Sequence, residues 1–408
     1  MNQVPSLGSG VLVEFFEPAW GSPLVTAIIE LEKLRVKELG GPVPPYIFFQ
    51  LKDIFHIFES LGSARIEGNQ TTLSEFVESV ILSPSKDKSD DGLREIKNIE
   101  KAIAFIEANI DKNTIFNRAL ISQVHQILVE GLSPPPSGEG SRYSGVLRPV
   151  NVSISGSSHT PPDQIKVPEY FDALMDFVND DAISQNHLLV TAIAHHRMAW
   201  IHPFDNGNGR LIRMFTYAML IKQGFQVKSG RILNPTAIFC IDRDRYYEKL
   251  ALADSGQKDK VLDWCLYVLD GLRQEIEKID RLLDLSYMTA NILIPVLEYA
   301  LEREHITKRE YLILLAVVKS PTMSIKSADL EDVIGNESSV QRSRIIKKLK
   351  DKKMLFALKG NGRVYTIGFA NNYLLRGVMY VLERNGFIPA SLNKKEDKKK
   401  PRSFFDKS

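Results

Sequence analysis

A histidine, a run of glycine and amide residues and two arginines fall within a dozen positions: His202-Pro203-Phe204-Asp205-Asn206-Gly207-Asn208-Gly209-Arg210, with Arg213 one turn on. An imidazole titrates near neutrality and suits proton abstraction. Glycines let the backbone curl close to an anion with no side chain in the way. Two guanidinium groups three residues apart share a helix face and can reach one chain of phosphates. Together these groups could hold a polyphosphate and deprotonate something beside it. The flanking sequence supplies the elements to position them. His187 to Ile201 is mostly apolar and long enough for a buried helix. Arg210 to Gly224 reads as a second helix, ended by the glycine. His202 therefore closes one helix, and Gly207 to Gly209 form the turn opening the next, where outward-pointing N–H groups favour phosphate.

The string resembles the signature of the Fic family (filamentation induced by cyclic AMP), His-x-Phe-x-Asp/Glu-Gly-Asn-Gly-Arg with a second arginine three residues later. The resemblance implies an enzyme, a protein adenylyltransferase, that moves AMP from ATP to Ser, Thr or Tyr hydroxyls of target proteins, itself included, and releases pyrophosphate. It makes His202 the general base. Gly207, Asn208 and Gly209 would cradle the α- and β-phosphates, Arg210 would pair with the β-phosphate and Arg213 with the γ-phosphate. One position departs from the pattern: Asn206 stands where the family has a carboxylate for Mg²⁺, and the acid sits one place earlier, at Asp205. An amide oxygen holds a hard cation less strongly than a carboxylate. Asn206 is the metal-ligand candidate, with Asp205 as its substitute. A degenerate, non-catalytic site and transfer of a different phosphate-containing group are the competing readings.

A second signal is Ser63-Ala64-Arg65-Ile66-Glu67-Gly68. Tyr46 to Gly62 has helical apolar spacing, Gly68 is a natural residue just past a helix end, and Thr72 with Glu75 makes a capping box for the next helix. Glu67 thus lies where the helix dipole disfavours a carboxylate, which suggests a cation from elsewhere. The bland alternative is an exposed, solvated glutamate. The segment resembles the inhibitory motif of Fic proteins, Ser/Thr-x-x-x-Glu-Gly/Asn, in which the glutamate pairs with the second signature arginine. Carried across, Glu67 would pair with Arg213, with Ser63 one turn back and Gly68 ending the motif, and its place before the signature resembles the subclass whose inhibitory helix is N-terminal.

Other stretches carry less. Leu147 to Thr160, followed by Pro161-Pro162, reads as a hairpin, which in Fic proteins is a flap that holds the target by strand addition. Asp242 to Tyr247 begins a helix whose Tyr246-Tyr247 pair resembles the family's adenine-side tyrosines; Tyr247 is taken as the nucleotide contact, with two core aromatics as the alternative. Gly360-Asn361-Gly362-Arg363 repeats four letters of the signature without the histidine and lies between strand-like runs, so it reads as a hairpin turn. His195 and His196, on the apolar helix, read as core residues, and no His/Cys spacing suggests zinc.

The chain has 408 residues, 52 Lys+Arg against 50 Asp+Glu, and two cysteines. That length makes two or three domains and an ample core. Near-balanced charge gives no global attraction for nucleic acid or membrane. The absence of a signal-like start or a long apolar run, with scarce cysteine, favours the cytoplasm. The expected fold is mainly α: a Fic-type helical bundle with a β-hairpin flap, plus a C-terminal winged helix-turn-helix domain. Its parts are an N-terminal helical region at 1–92 containing the inhibitory motif, a catalytic domain at 93–290, the winged helix at 300–372 and a basic, disordered tail at 389–408. The winged-helix pattern comprises a helix capped by Thr307 and Glu310, a second over Lys326 to Ile334, a third over Ser338 to Lys352, and a hairpin through Asn361. The third helix carries Arg342, Arg344, Lys347, Lys348, Lys350 and Lys352, a footprint for DNA, although such modules also bind proteins or make homodimers. The alternative function is therefore a DNA-binding transcription regulator whose Fic body is a nucleotide sensor or inactive scaffold.

Overall fold

The apolar runs become helices in the computed structural model, which describes residues 15–36, 43–82, 91–154, 157–180, 187–225, 232–335, 338–358 and 362–393. In chain order the helices are α1 (Pro23–Val36), α2 (Pro45–Ile66), α3 (Leu73–Leu82), α4 (Asp91–Asn109), α5 (Arg118–Val129), α6 (Val167–Asn179), α7 (His187–Ile201), α8 (Asn208–Lys222), α9 (Thr236–Ile241), α10 (Arg243–Ala253) and α11 (Lys258–Asp280). A continuous rod follows, formed by α12 (Leu285–Tyr287), a π-type segment (Met288–Leu293) and α13 (Ile294–Glu302). The fold is mainly helical.

The centre of the bundle is α8, whose residues from Arg210 to Ile221 are buried on every side. A helix apolar all round belongs in a core, and here α2, α4, α5 and α7 pack around it. Several buried polar groups near α8 pair with one another. The Glu107 carboxylate accepts from Lys52 Nζ at 2.6 Å, from the Tyr217 hydroxyl at 2.6 Å and faces His56 Nε2 at 3.1 Å, tying α2, α4 and α8 together. His195 shares hydrogen bonds with Thr216 Oγ1 and the Tyr246 hydroxyl, so it serves the core.

Beyond the rod lie α14 (Lys308–Lys319), β1 (Ser324–Lys326), α15 (Glu331–Ile334), α16 (Ser339–Asp351), β2 (Leu355–Ala357), β3 (Val364–Ile367) and α17 (Leu374–Arg384). The strands form an antiparallel sheet in the order β1-β3-β2. The Thr307–Glu310 capping box is present at the start of α14. The expected helix from Lys326 is shorter: Ser324 to Lys326 instead pairs with Val364 to Thr366, because β3 would otherwise leave one edge unpaired, and only Glu331 to Ile334 is α-helical. The tip of the β2–β3 hairpin at Gly360-Asn361 lies outside the described residues, as do the tail lysines from 394 onward. Residues 390–393 form a short 3₁₀ turn, with Leu392 buried.

This C-terminal part docks on α2. Gln50 donates to the Ile367 carbonyl at 3.1 Å and accepts from Phe369 N at 2.7 Å, and the Tyr46 hydroxyl donates to the Thr322 carbonyl. At the other end of α2, Arg65 Nη2 donates to the Ser391 carbonyl at 3.0 Å. Arg376 of α17 makes a bidentate pair with Glu78 of α3. No described helix is long and apolar enough to cross a membrane.

Candidate active site

His202 ends α7 in the left-handed region, at φ 50, which a residue with a Cβ enters only when its surroundings hold it there. The holding group is Arg148, itself buried. Its Nε donates to the His202 carbonyl at 2.8 Å, its backbone N–H to the Pro203 carbonyl at 2.8 Å, and its other guanidinium nitrogens to the Val150 and Pro162 carbonyls. The segment expected to be a hairpin, Leu147 to Thr160, consequently runs without strand pairing among its described residues. Within it, Arg148 Nη1 donates to the Val150 carbonyl, and the tip at 155–156 lies outside the described residues. Burial pushes the His202 pKa down to about 4, against the pull of a backbone hydrogen bond at Ala199 and the Glu67 charge. The ring is therefore neutral at pH 7, and its buried Nδ1 has no hydrogen-bond partner.

After His202 the chain turns through a loop stitched by its own side chains. Asn208 Oδ1 accepts from Phe204 N at 2.9 Å and its Nδ2 donates to the Phe204 carbonyl at 2.8 Å. The Asn208 side chain is thus consumed in shaping the loop, leaving its backbone N–H for any ligand. Gly207 caps α8 at φ 77, with Val129 Cγ1 only 3.0 Å from where a Cβ would sit. His125 stacks on Phe204 and shares a hydrogen bond with the Asn206 carbonyl at 2.9 Å. Because His125 Nδ1 accepts from Gly145 N, the proton lies on Nε2.

The helix start does not face open space. Glu67 caps α2, and Gly68, at φ +100, lets Asn69 N–H return to the Ala64 carbonyl in a Schellman closure. The Glu67 carboxylate is thereby set against the first turn of α8, where a Cβ on Gly209 would lie 2.1 Å from Glu67 Oε1. Arg213 Nη2 donates to Glu67 Oε1 at 2.7 Å and to the Ser63 carbonyl at 2.9 Å, and its Nε donates to Ser63 Oγ at 2.8 Å. Burial works against the Glu67 charge, yet Arg213, with Arg210 and Arg243 behind it, holds its carboxyl below the ordinary range. The capping box of Thr72 and Glu75 that starts α3 is present.

Arg210 has a partner that the motifs did not signal. Its Nη1 lies 3.0 Å from Glu95 Oε1 on α4, and its Nη2 donates to the Glu139 carbonyl. Arg210 is 0% exposed and Glu95 2%, while Arg210 Nε has no hydrogen-bond partner. A sequence signal for Glu95 existed: it falls on the buried stripe of α4 with Ile99, Ala102 and Ile106, and a carboxylate on an apolar stripe needs a partner. Arg148 and His125 had no comparable signal, since their contacts are with backbone atoms far along the chain.

Asp205 is oriented by two hydrogen bonds. Its two oxygens accept from Ser141 Oγ and from Arg142 N. Asn206 Nδ2 donates to the Gly140 carbonyl at 2.9 Å and lies 3.5 Å from Glu139 Oε2. Among the described residues no group of three or more His, Cys, Asp and Glu could hold a metal ion. The tyrosines divide: Tyr246 is buried and bonded to His195, while Tyr247 is 42% exposed, with Arg243 stacked 5.6 Å from its ring centre.

The Fic/DOC family model matches residues 115–220. The chain is 27% identical over 234 residues to the protein adenylyltransferase Fic of Drosophila willistoni, covering 54% of this chain and 43% of that protein. It is 29% identical over 210 residues to the protein adenylyltransferase Fic of Nematostella vectensis, covering 49% of this chain and 43% of that one. The match thus spans less than half the length of these relatives. Among solved structures, a Fic family protein from Desulfovibrio desulfuricans superposes with a TM-score of 0.52 at 18% identity, covering 86% of this chain and 98% of that one. A Fic domain containing signaling protein from Bacteroides thetaiotaomicron gives a TM-score of 0.51 at 18% identity, covering 64% and 98%. Residues 115–220, which the Fic/DOC family model matches, include His202, Arg210 and Arg213.

Proposed function

We propose that this protein is an autoinhibited protein adenylyltransferase that transfers AMP from ATP to a hydroxyl side chain of a target protein. The observation that carries the reading is the Glu67 carboxylate seated against Gly209 and Arg213 at the start of α8. Helix starts and guanidinium groups attract anions, so a carboxylate there occupies ground suited to a phosphate of the substrate. In this reading Glu67, with Ser63 holding Arg213 and Gly68 shaping the turn, blocks a productive triphosphate. When Glu67 leaves, Arg213 takes the γ-phosphate and Arg210 the β-phosphate. The backbone of Gly207, Asn208 and Gly209 lines the α- and β-phosphates, and Tyr247 flanks the adenine.

The target hydroxyl oxygen attacks the α-phosphorus, the bond to the β-phosphate bridging oxygen breaks, pyrophosphate leaves, and the hydroxyl proton passes to neutral His202. Positioning and charge stabilisation supply most of the rate. Mg²⁺ accompanies the triphosphate in this reading, and the Asn206 amide oxygen, with the Asp205 carboxylate as its substitute, would hold it. Two cysteines in 408 residues suit a cytoplasmic setting.

Incubation with α-labelled ATP and mass spectrometry test the reading. Glu67→Gly should gain an AMP adduct on Ser, Thr or Tyr, and Glu67→Gly with His202→Ala should lose it by about a hundredfold or more. An unlabelled Glu67→Gly protein sinks it.

A second reading, a DNA-binding regulator, is favoured by one feature. Helix α16 presents Arg344, Lys347 and Lys350 to solvent within an order of helices and strands that suits a winged helix at about 300–372. Salt-sensitive binding to duplex DNA, with no labelling of Glu67→Gly, would support it.

A further inference from the structure

Arg210 is the most buried cation of the site, and its guanidinium is held from behind. Glu95 Oε1 forms an ion pair with Nη1 at 3.0 Å without hydrogen-bond alignment, and the Glu139 carbonyl accepts from Nη2, while Nε and Nη1 carry no hydrogen bond. Glu95 is in turn oriented by Asn69, whose Nδ2 donates to Glu95 Oε2 at 2.7 Å and to the Gly92 carbonyl at 3.0 Å. Asn69 Oδ1 accepts from Thr71 N at 2.8 Å, and Asn69 N–H closes α2 on Ala64. One short turn, Glu67-Gly68-Asn69, therefore touches both arginines: Arg213 directly and Arg210 through Glu95. A cavity of about 490 Å³ opens beside it, lined by Gly68, Asn69, Glu95, Leu132 and Glu139 among others.

A guanidinium offers five donors in a rigid fork, so its direction matters as much as its charge. A buried arginine without an ionic partner is costly, and one tethered at a single edge keeps its other donors aimed. We infer that Glu95 is a positioning residue: it fixes the Arg210 fork so that the unclaimed Nε edge meets the β-phosphate, and Asn69 fixes Glu95. The inference rests on the nucleotide-site reading above. Glu95 acts on the β-phosphate only, because its contact with the site runs through Arg210.

That restriction makes it testable by comparing ADP with AMP, which lacks a β-phosphate. In the full chain carrying Glu67→Gly, Glu95→Gln should weaken ADP binding about tenfold, the worth of one charge-assisted hydrogen bond, while AMP binding stays within about twofold. In an Arg210→Gln background, Glu95→Gln should have no further effect on ADP, since coupled residues are not additive. Should Glu95→Gln fail to fold, judged by thermal melting, Asn69→Ala keeps both charges, removes the orienting bond and should shift ADP in the same direction by a smaller factor. Equal losses for ADP and AMP, unchanged or tighter ADP binding, or additive losses with Arg210→Gln would each overturn the inference. Failure of Glu67→Gly to bind any adenine nucleotide would instead overturn the site reading itself.

Discussion

Two arginine- and lysine-bearing helices in this molecule look alike on paper and differ completely in space. On α8, Arg210 and Arg213 are fully buried, each faces a carboxylate from another segment, and Gly209, just before them, lets one of those carboxylates approach the backbone. On α16, Arg344 and Lys347 lie exposed with no ion-pair partner among the described residues, and Lys348 reaches Glu310 only at its own module's edge. Charge in water is cheap to hold and weakly directed. Charge out of water persists only where partners fix its geometry, and such fixed geometry is what recognition of a bound phosphate requires. The contrast separates a built site from a surface that a long-range field could use.

The sharpest way to break the contrast is Gly209→Ala. Its Cβ would meet Glu67 Oε1 at 2.1 Å, so Glu67 must leave and Arg213 must lose its partner. Breaking a buried pair costs about 3–5 kcal/mol; a melting temperature lowered by several degrees and partly restored by ATP is the expected result. Unchanged melting and unchanged nucleotide affinity would mean that the Glu67 contact does not matter at rest.

Acid offers a second, smaller perturbation. Burial pushes the His125 pKa down to about 4, whereas an unfolded histidine titrates near 6.5. The neutral ring therefore contributes stability that is complete above pH 6.5 and lost as pH falls toward 4. Unfolding in urea at pH 5.5 should show about 1 kcal/mol less stability from this group than at pH 7.5, and His125→Gln should remove that share. The same depression at His202 predicts that labelling by the Glu67→Gly form shows no inflection near pH 6.5. A bell-shaped profile centred there would assign proton abstraction to another group.

The smallest effect belongs to α16. Arg344→Ala and Lys347→Ala should each change stability by no more than about 0.5 kcal/mol and leave nucleotide binding intact. If the module binds duplex DNA, each substitution should lower the salt slope of binding by about one.

Much of this was legible in the chain. The helices flanking His202, the caps at Thr72 and Thr307, and the turn at Gly68 follow from local rules, because periodicity and capping depend on near neighbours. The pairing of Glu67 with Arg213 came from resemblance, since nothing local joins residues so far apart. What stayed hidden was carried by contacts between distant segments. Arg148 ties the segment expected to be a hairpin to the His202 and Pro162 carbonyls, both outside that segment. The hydrogen bonds that Asp205 accepts from Ser141 and Arg142 join residues more than 60 positions apart. The edge of β3 pairs with residues 324–326, taking Lys326 out of the helix expected over Lys326 to Ile334.

The docking of the C-terminal sheet on α2 has a practical corollary. A helix of 22 residues spans about 33 Å, and this one leads into the Glu67 carboxylate at one tip and bonds to Ile367 and Phe369 near the other. Trimming the chain after the α13 rod would strip the partners of Gln50, Tyr46 and Arg65 together and bare apolar surface along the arm that sets Glu67 in place. The resting geometry thus belongs to the intact polypeptide, and a shortened version could differ in basal labelling without any change to the residues around His202.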